Sequence, residues 1–207
     1  MIQAGEHVAI FGITGSGKTT LTAQVASVFP RRIVFDRLGE HQADTPTARS
    51  YDEFAALYRE HHELNAFTIR IRPRAGISAD ELQEMADAIV ALVYQVESYN
   101  SRGLAIIFEE AWLYAPLHYL APWLQETILT GRHYRISVVA NSQRPAHVNK
   151  ALISQARHVF VGQFFEYRDR KYYEETFGRI PQLETSPNRY CFWWFKSGGD
   201  PTLITTR

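Results

Sequence analysis

The chain has 207 residues, 45% of them hydrophobic, with 22 basic and 22 acidic side chains and a formal net charge of zero. That length suits a single domain with a substantial core, and the neutral balance excludes a histone-like, wholly basic nucleic-acid binder while still allowing basic groups on one surface. One cysteine, Cys191, excludes an internal disulfide and fits a reducing compartment. No basic stretch leads into a long apolar run at the start, and no apolar run approaches the roughly 18 residues needed to span a bilayer, so a soluble, cytoplasmic protein is expected.

In chain order, His7–Phe11 reads as a buried strand, and the segment Gly12-Ile13-Thr14-Gly15-Ser16-Gly17-Lys18-Thr19 fits the phosphate-binding pattern G-x-x-x-x-G-K-[ST] in full. Its glycines let the backbone curl so that N–H groups point at phosphate oxygens. Gly12, Thr14, Gly15, Ser16, Gly17, Lys18, Thr19 and Thr20 are therefore the candidate nucleotide-binding residues. Lys18 suits the β- and γ-phosphates, and the Thr19 hydroxyl suits Mg²⁺. A helix over Thr19–Phe29 aims its N-terminal dipole at the anion.

Arg32–Asp36 is a second strand ending in an acid, and 42–50 is a polar, Pro-containing loop. Tyr51–His62 has helical spacing; its adjacent His61 and His62 point in different directions and read as solvated surface histidines, not metal ligands. Phe67–Ile71 is a strand that carries Arg70 into the run Arg70, Arg72, Arg74, either a charged edge that deters aggregation or a DNA-facing set. Ser78 with Glu81 forms a capping box for a helix whose Leu82, Met85, Ile89, Leu92/Val93 and Val96 share one face.

Gly103–Phe108 is a continuous apolar strand of the kind covered on both sides, and it ends in Glu109-Glu110. Beside a phosphate loop, the first acid suits Mg²⁺ support and the second suits activation of a water. Trp112, Tyr114 and Tyr119 follow, as packing, subunit-contact or channel residues. Then come a helix over Pro122–Leu129, a strand Ile136–Ala140 ending in Asn141-Ser142-Gln143, a helix near Val148–Gln155 and a strand His158–Val161. A helix Tyr167–Phe177 and a hairpin of Tyr190–Phe195 with Leu203–Thr205, turning at Gly198-Gly199, complete the chain. Strands alternating with helices give an α/β fold with a mainly parallel sheet, and ligands bind at the carboxyl ends of such strands. Gln143, at one such end, reads either as a γ-phosphate sensor or as ordinary loop polarity.

The set GITGSGKT, IVFDRLGEH, LAIIFEEAW and GRHYRISVVANSQRP with ISQARHVFVGQF resembles the FtsK–HerA superfamily of DNA-pumping P-loop ATPases over about residues 7–162. The resemblance implies a three-layer P-loop NTPase fold of the RecA-like kind. It also implies ATP and Mg²⁺ as cofactors, a homo-oligomer, commonly a hexameric ring, and double-stranded DNA as partner. Carried onto this chain, it makes Lys18 and Thr19 the Walker A pair, Glu110 the catalytic glutamate, and Glu109 the metal-supporting acid where the family usually has Asp. Asp36 and Glu40 match the acidic strand-two motif, and Gln143 the polar sensor. Arg132 falls where the family places an arginine acting on a neighbour's ATP; the family's additional Arg before Gly131 is missing, so Arg135 and Arg144 stand as alternatives. The chain reads as a motor core at about 7–162 followed by a C-terminal helix and hairpin at 163–207. That layout is similar to the genome-packaging ATPases of tailless, internal-membrane viruses, which adds the virion and its vertex proteins as expected surroundings. A cellular HerA-like ATPase, a nucleotide-gated phage assembly factor and a small-molecule kinase are the competing readings.

Overall fold

The computed structural model describes residues 1–37, 39, 45–164, 167–177, 187–197 and 199–206. The first half contains β1 (Val8–Phe11), α1 (Lys18–Ala26), β2 (Arg31–Phe35), β3 (Thr47–Ala48), α2 (Tyr51–His61), β4 (Phe67–Ile71) and α3 (Ala79–Asn100). The second half contains β5 (Leu104–Phe108), α4 (Pro122–Thr130), β6 (Ile136–Ser142), α5 (Lys150–Ser154), β7 (His158–Val161), α6 (Tyr167–Phe177), β8 (Cys191–Lys196) and β9 (Thr202–Thr205). One sheet joins the strands in the order β3-β4-β2-β5-β6-β1-β7-β8-β9. It is parallel from β3 through β7, and β8 and β9 close it as an antiparallel hairpin.

Strand polarity explains the apolar runs. Ala9 and Phe11 of β1, with Leu104, Ile106 and Phe108 of β5, pack on the face that holds α2 through α6. Val8, Ile10, Ala105 and Ile107 pack on the opposite face, against Leu21, Val25 and Ala26 of α1. A strand covered on both faces has no solvent side to mark with polar residues, so the alternation expected of a surface strand is absent. The result is a three-layer α/β fold. Among the described residues no helix is long and apolar enough to cross a membrane.

Local signals hold where chemistry is local. The Ser78 hydroxyl accepts from the Glu81 amide and the Glu81 carboxylate accepts from the Ser78 amide, the reciprocal bonds of a capping box. Two expectations fail because tertiary pairing overrides them. The 42–50 loop contains β3, which pairs with β4, so β4 is an inner strand. Arg70 is accordingly buried, bonded to Thr47 Oγ1 at 3.0 Å and 3.9 Å from Asp36 Oδ2, and does not share a solvated edge with the exposed Arg72 and Arg74. A third departure is local in origin: His61 and His62 are half-buried, their Nδ1 atoms bonded to the carbonyls of Leu57 and Tyr58 one turn back at the end of α2.

One core element carries no sequence signature. Arg31 is 2% exposed and Glu97 fully buried; two guanidinium bonds of 2.7 and 2.6 Å join them, and Tyr58 donates to the same carboxylate at 2.9 Å. The pair fastens β2 to α3 and α2, and its charges are compensated in place, as burial requires.

His7 precedes β1 inside the same framework. Its Nδ1 accepts from the Val138 amide at 2.9 Å, and its Nε2–H then donates to the Ile128 carbonyl at 3.0 Å. Burial, reinforced by nearby Arg132 and partly offset by the Ile128 bond, lowers its pKa to about 4. The unfolded chain therefore takes up a proton between pH 6.5 and 4 that the folded chain refuses, and stability falls as pH drops through that window. We expect His7 to account for about 3 kcal/mol of that loss. Denaturant titrations at pH 4, 5, 6 and 7 should show a shallower pH slope for His7→Gln than for the parent; equal slopes would refute the assignment.

Candidate functional site

Because β5, β6, β1 and β7 are adjacent and parallel, the segments leaving their carboxyl ends converge on one edge of the sheet. The loop after β1 is fixed there by both neighbours. The Gly12 amide donates to Ser142 O of β6, the Ile13 amide to Gln163 O after β7, and the Gly162 amide to Phe11 O. Two of its glycines are required by shape. Gly17 has φ +100, and an added Cβ would lie 2.7 Å from the Tyr190 ring; a Cβ on Gly12 would lie 2.7 Å from Ser16 Oγ. Lys18 is buried, with its ammonium donating across the loop to Ile13 O at 3.1 Å. The Ser16 hydroxyl is buried and, among the described residues, has no hydrogen-bond partner. Among the described residues α1 carries neither a side-chain cap nor an acid in its first turn, so its dipole is free to favour an anion at the loop. Thr19 is half-buried and Thr20 exposed in that first turn.

The acids after β5 reach the loop through one amide side chain. Asn141 Nδ2 donates to Glu109 Oε2 and to Thr22 Oγ1 of α1, and Asn141 Oδ1 accepts from the Glu110 amide at 3.0 Å. Glu110 takes a left-handed backbone, φ 54 and ψ 62, unusual for a side chain of this size and of the kind that clusters at functional sites. Its Oε2 accepts from the Trp112 indole at 3.1 Å and from the Gln143 amide at 3.4 Å. Gln143 Oε1 in turn accepts from Thr14 Oγ1 of the loop at 2.9 Å. Glu109, Glu110, Gln143 and the phosphate loop thus form one connected polar network.

The other candidates divide. Asp36 is fully buried and caps its own turn, accepting from the Gly39 amide at 2.7 Å. Glu40 and the hairpin residue Gly198 lie outside the described residues. Arg132 belongs to a 3-10 turn, Gly131–Tyr134, that enters β6 from its amino end, and its carbonyl is packed beside Gly5, ahead of β1. The seven residues of β6 separate it from the loop edge by about 20 Å, far beyond side-chain reach within one chain. Arg135 lies at the same amino edge, whereas Arg144, just past β6, is exposed on the loop side. Of the aromatics, Tyr114 is buried in the core, while Trp112 and Tyr119 are exposed.

The sequence marks Asn141 only as a polar residue at a strand tip, because strand β6 runs two residues further than its apolar run, to Ser142. Its register opposite β1 is what exposes the role. The contact of Arg189 and Tyr190 with the loop is also invisible in the sequence: Arg189 Nε donates to Gly15 O at 2.9 Å, and the Tyr190 amide to Ser16 O at 3.0 Å. No local pattern signals a contact across that sequence distance. A groove of about 1070 Å³ between α5, α6 and the hairpin includes none of these residues, so cavity size does not locate the chemistry here.

The family model described as the central domain of the helicase HerA matches residues 3–126, which include the phosphate loop and both acids. The chain belongs to this HerA family. It is thus a member of the FtsK–HerA superfamily of P-loop ATPases, and the fold agrees. No curated protein matches it in sequence. Among solved structures this HerA-family chain is similar to the genome packaging NTPase B204 from Sulfolobus turreted icosahedral virus 2 in complex with ATP-gammaS. That match has TM-score 0.75 and 14% identity over 98% of each chain. VirB4 of Thermoanaerobacter pseudethanolicus matches with TM-score 0.65 and 10% identity over 96% of this chain and 88% of that one. EssC from Geobacillus thermodenitrificans matches with TM-score 0.57 and 11% identity over 98% of this chain and 39% of that one.

Asn141 gives a structural test of the network. Asn141→Ala leaves the Glu110 amide, the Glu109 carboxylate and Thr22 without this partner, and should lower stability by about 1–3 kcal/mol. A denaturant midpoint unchanged from the parent would show that the network carries no such weight.

Proposed function

We propose that this protein is an ATP hydrolase working at seams between identical copies to drive double-stranded DNA, and that its setting is viral genome packaging. One observation carries the reading: the network that unites the phosphate loop at Thr14 with Gln143 and Glu110 excludes Arg132, which sits at the opposite edge of the sheet. An arginine there can meet a γ-phosphate only on another copy. The family membership supports the ATPase class, and the likeness to a genome packaging NTPase along the whole chain supports the packaging setting.

In this mechanism the loop amides and Lys18 hold the β- and γ-phosphates. Glu110 orients and deprotonates the attacking water, and Gln143, tied to both Glu110 and Thr14, registers the γ-phosphate. The residues also fit Mg²⁺, which takes hard oxygen donors and is usually held by one or two carboxylates together with substrate phosphates. The Thr19 hydroxyl and the Glu109 carboxylate, the latter held in place by Asn141, are such donors, and when bound the ion would neutralise charge on the phosphates. Among the described residues no group of three or more His, Cys, Asp or Glu side chains gathers, so a metal cage made of protein ligands alone is not the design here. Arg132 from the adjoining copy would stabilise the transition-state charge; such arginines are worth on the order of 10³-fold or more. DNA would be met in the ring's centre, in the host cytoplasm or at the virion vertex, with exposed Arg72 and Arg74 as available phosphate contacts whose strength falls with salt.

Glu110→Gln should keep ATP binding and lose turnover by about 10²-fold or more, whereas Lys18→Ala should lose both. ATP turnover measured against protein concentration, with and without duplex DNA and alongside solution mass, checks the seam. Turnover per chain should rise with assembly and with DNA, and Arg132→Ala should remove that rise. Full activity in a dilute monomer indifferent to DNA would overturn the motor reading. Phosphate transfer to a small acceptor by that monomer would favour a kinase.

A further inference from the structure

The phosphate loop has two unlike flanks. On the β6 and β5 side stand Gln143, Glu110 and Glu109, where the proposed reading puts the γ-phosphate. On the β7 side the sheet turns antiparallel, and this has a geometric consequence. Cys191 at the start of β8 pairs with Thr205 at the end of β9, so both ends of the hairpin fall at the carboxyl edge beside the loop. Arg189, Tyr190 and Thr206 are therefore delivered to the flank opposite the acids.

Their placement there is fixed by several bonds. The Tyr190 amide donates to Ser16 O and Arg189 Nε to Gly15 O, and the Tyr190 ring lies against Gly17. The Tyr190 carbonyl accepts from the Thr206 amide at 3.0 Å, and Gln24 of α1 donates to Thr206 O at 3.1 Å. Tyr190 is held at φ 65, a conformation that an aromatic residue adopts only when its surroundings impose it. The guanidinium of Arg189 lies over the Tyr190 ring, 4.8 Å from its centroid, and Arg189 is exposed. A planar cation is thus stacked on an aromatic ring, at the rim of the loop, beside the first turn of α1.

We propose that Arg189 and Tyr190 form the seat of the nucleobase. The inference rests on the reading of the loop as a triphosphate site. A nucleotide whose γ-phosphate faces Glu110 and Gln143 runs its other end away from the acids, across the loop toward the β8 flank. A base arriving there meets the outer face of the Arg189 plane, which stacks on π-systems without regard to their edge chemistry. The seat contributes affinity through the face of the base, so adenine and guanine nucleotides bind alike. It also joins nucleotide occupancy to the C-terminal hairpin, because the same two residues start β8.

The test compares ligands with and without a base. Calorimetric titrations of the full chain with ATP, GTP and Mg²⁺-tripolyphosphate are run on the parent, Arg189→Ala, Arg189→Lys, Tyr190→Leu and, as the control for the triphosphate site, Lys18→Ala. Base stacking of ordinary strength predicts that Arg189→Ala and Arg189→Lys each weaken ATP and GTP by about tenfold and leave tripolyphosphate unchanged. Tyr190→Leu, which removes the ring under the guanidinium, should do the same. Equal weakening of all three ligands would make the pair a brace for the loop and overturn the seat, as would unchanged affinity for all three. If ATP and tripolyphosphate bind the parent and Lys18→Ala alike, the triphosphate reading itself falls, and the seat with it.

Discussion

The site depends on the register of β6 between β5 and β1. Phe11 lies beside Ser142 and Phe108 beside Ala140, with side chains alternating between the α1 face and the face of the other helices. Val139 and Ile107 pack toward α1, so Asn141 and Glu109, each two residues on, point the same way. That is why Asn141 can touch Thr22 of α1 and Glu109 at once. A slip of one residue would send Asn141 to the other face and leave the acids without their link to α1. Burial on both faces resists such a slip, since every displaced side chain would still need an apolar neighbour of the right size. The apolar strand interior thereby sets the polar geometry at its end.

Sequence was most informative where one short stretch carries the whole physical argument. The phosphate loop is legible because each glycine answers to a backbone demand, and the Ser78–Glu81 cap because its reciprocal bonds span three residues. The apolar runs of β1, β5 and β6 announce a parallel sheet because they are covered on both sides. Legibility fails where the partner is distant. Two residues, Thr47 and Ala48, make β3, too short to leave a periodic trace, yet they turn β4 into an inner strand and bury Arg70. Arg31 and Glu97 look like ordinary charged residues at the ends of a strand and a helix, and only the fold brings the two into a bidentate contact.

The two buried polar systems differ in kind. Arg31–Glu97 is a full ion pair sealed between β2, α2 and α3, with Tyr58 on one carboxylate oxygen and the carbonyls of His62 and Gly103 on the guanidinium. Such a pair holds elements in place and has no route to a ligand. At the loop the arrangement is open: Asn141, a neutral amide, connects the acids, and Glu110 is half-buried, with Oε2 accepting bonds from the exposed Trp112 and Gln143. An amide positions carboxylates without neutralising them, which preserves their negative charge for a cation or a water proton. The ion pair ties three elements of the scaffold together, whereas the acids after β5 are braced by a neutral side chain.

The change from parallel to antiparallel pairing at β8 has a structural consequence of its own. A parallel strand with a crossover delivers one chain segment to the carboxyl edge, whereas a hairpin delivers both its beginning and its end. Here Arg189-Tyr190 and Thr206 arrive together, bonded to each other and to α1, and they grip the outside of the loop at Gly15, Ser16 and Gly17. The residues matched by the family model end at 126, before β6 and the hairpin. The matched part therefore supplies the loop and the acids, while the remainder supplies the bridge at Asn141, the distant Arg132 and the C-terminal hairpin. The loop is thus held on one flank by β6, through Ser142 O and Gln143, and on the other by the hairpin, through Arg189 and Tyr190.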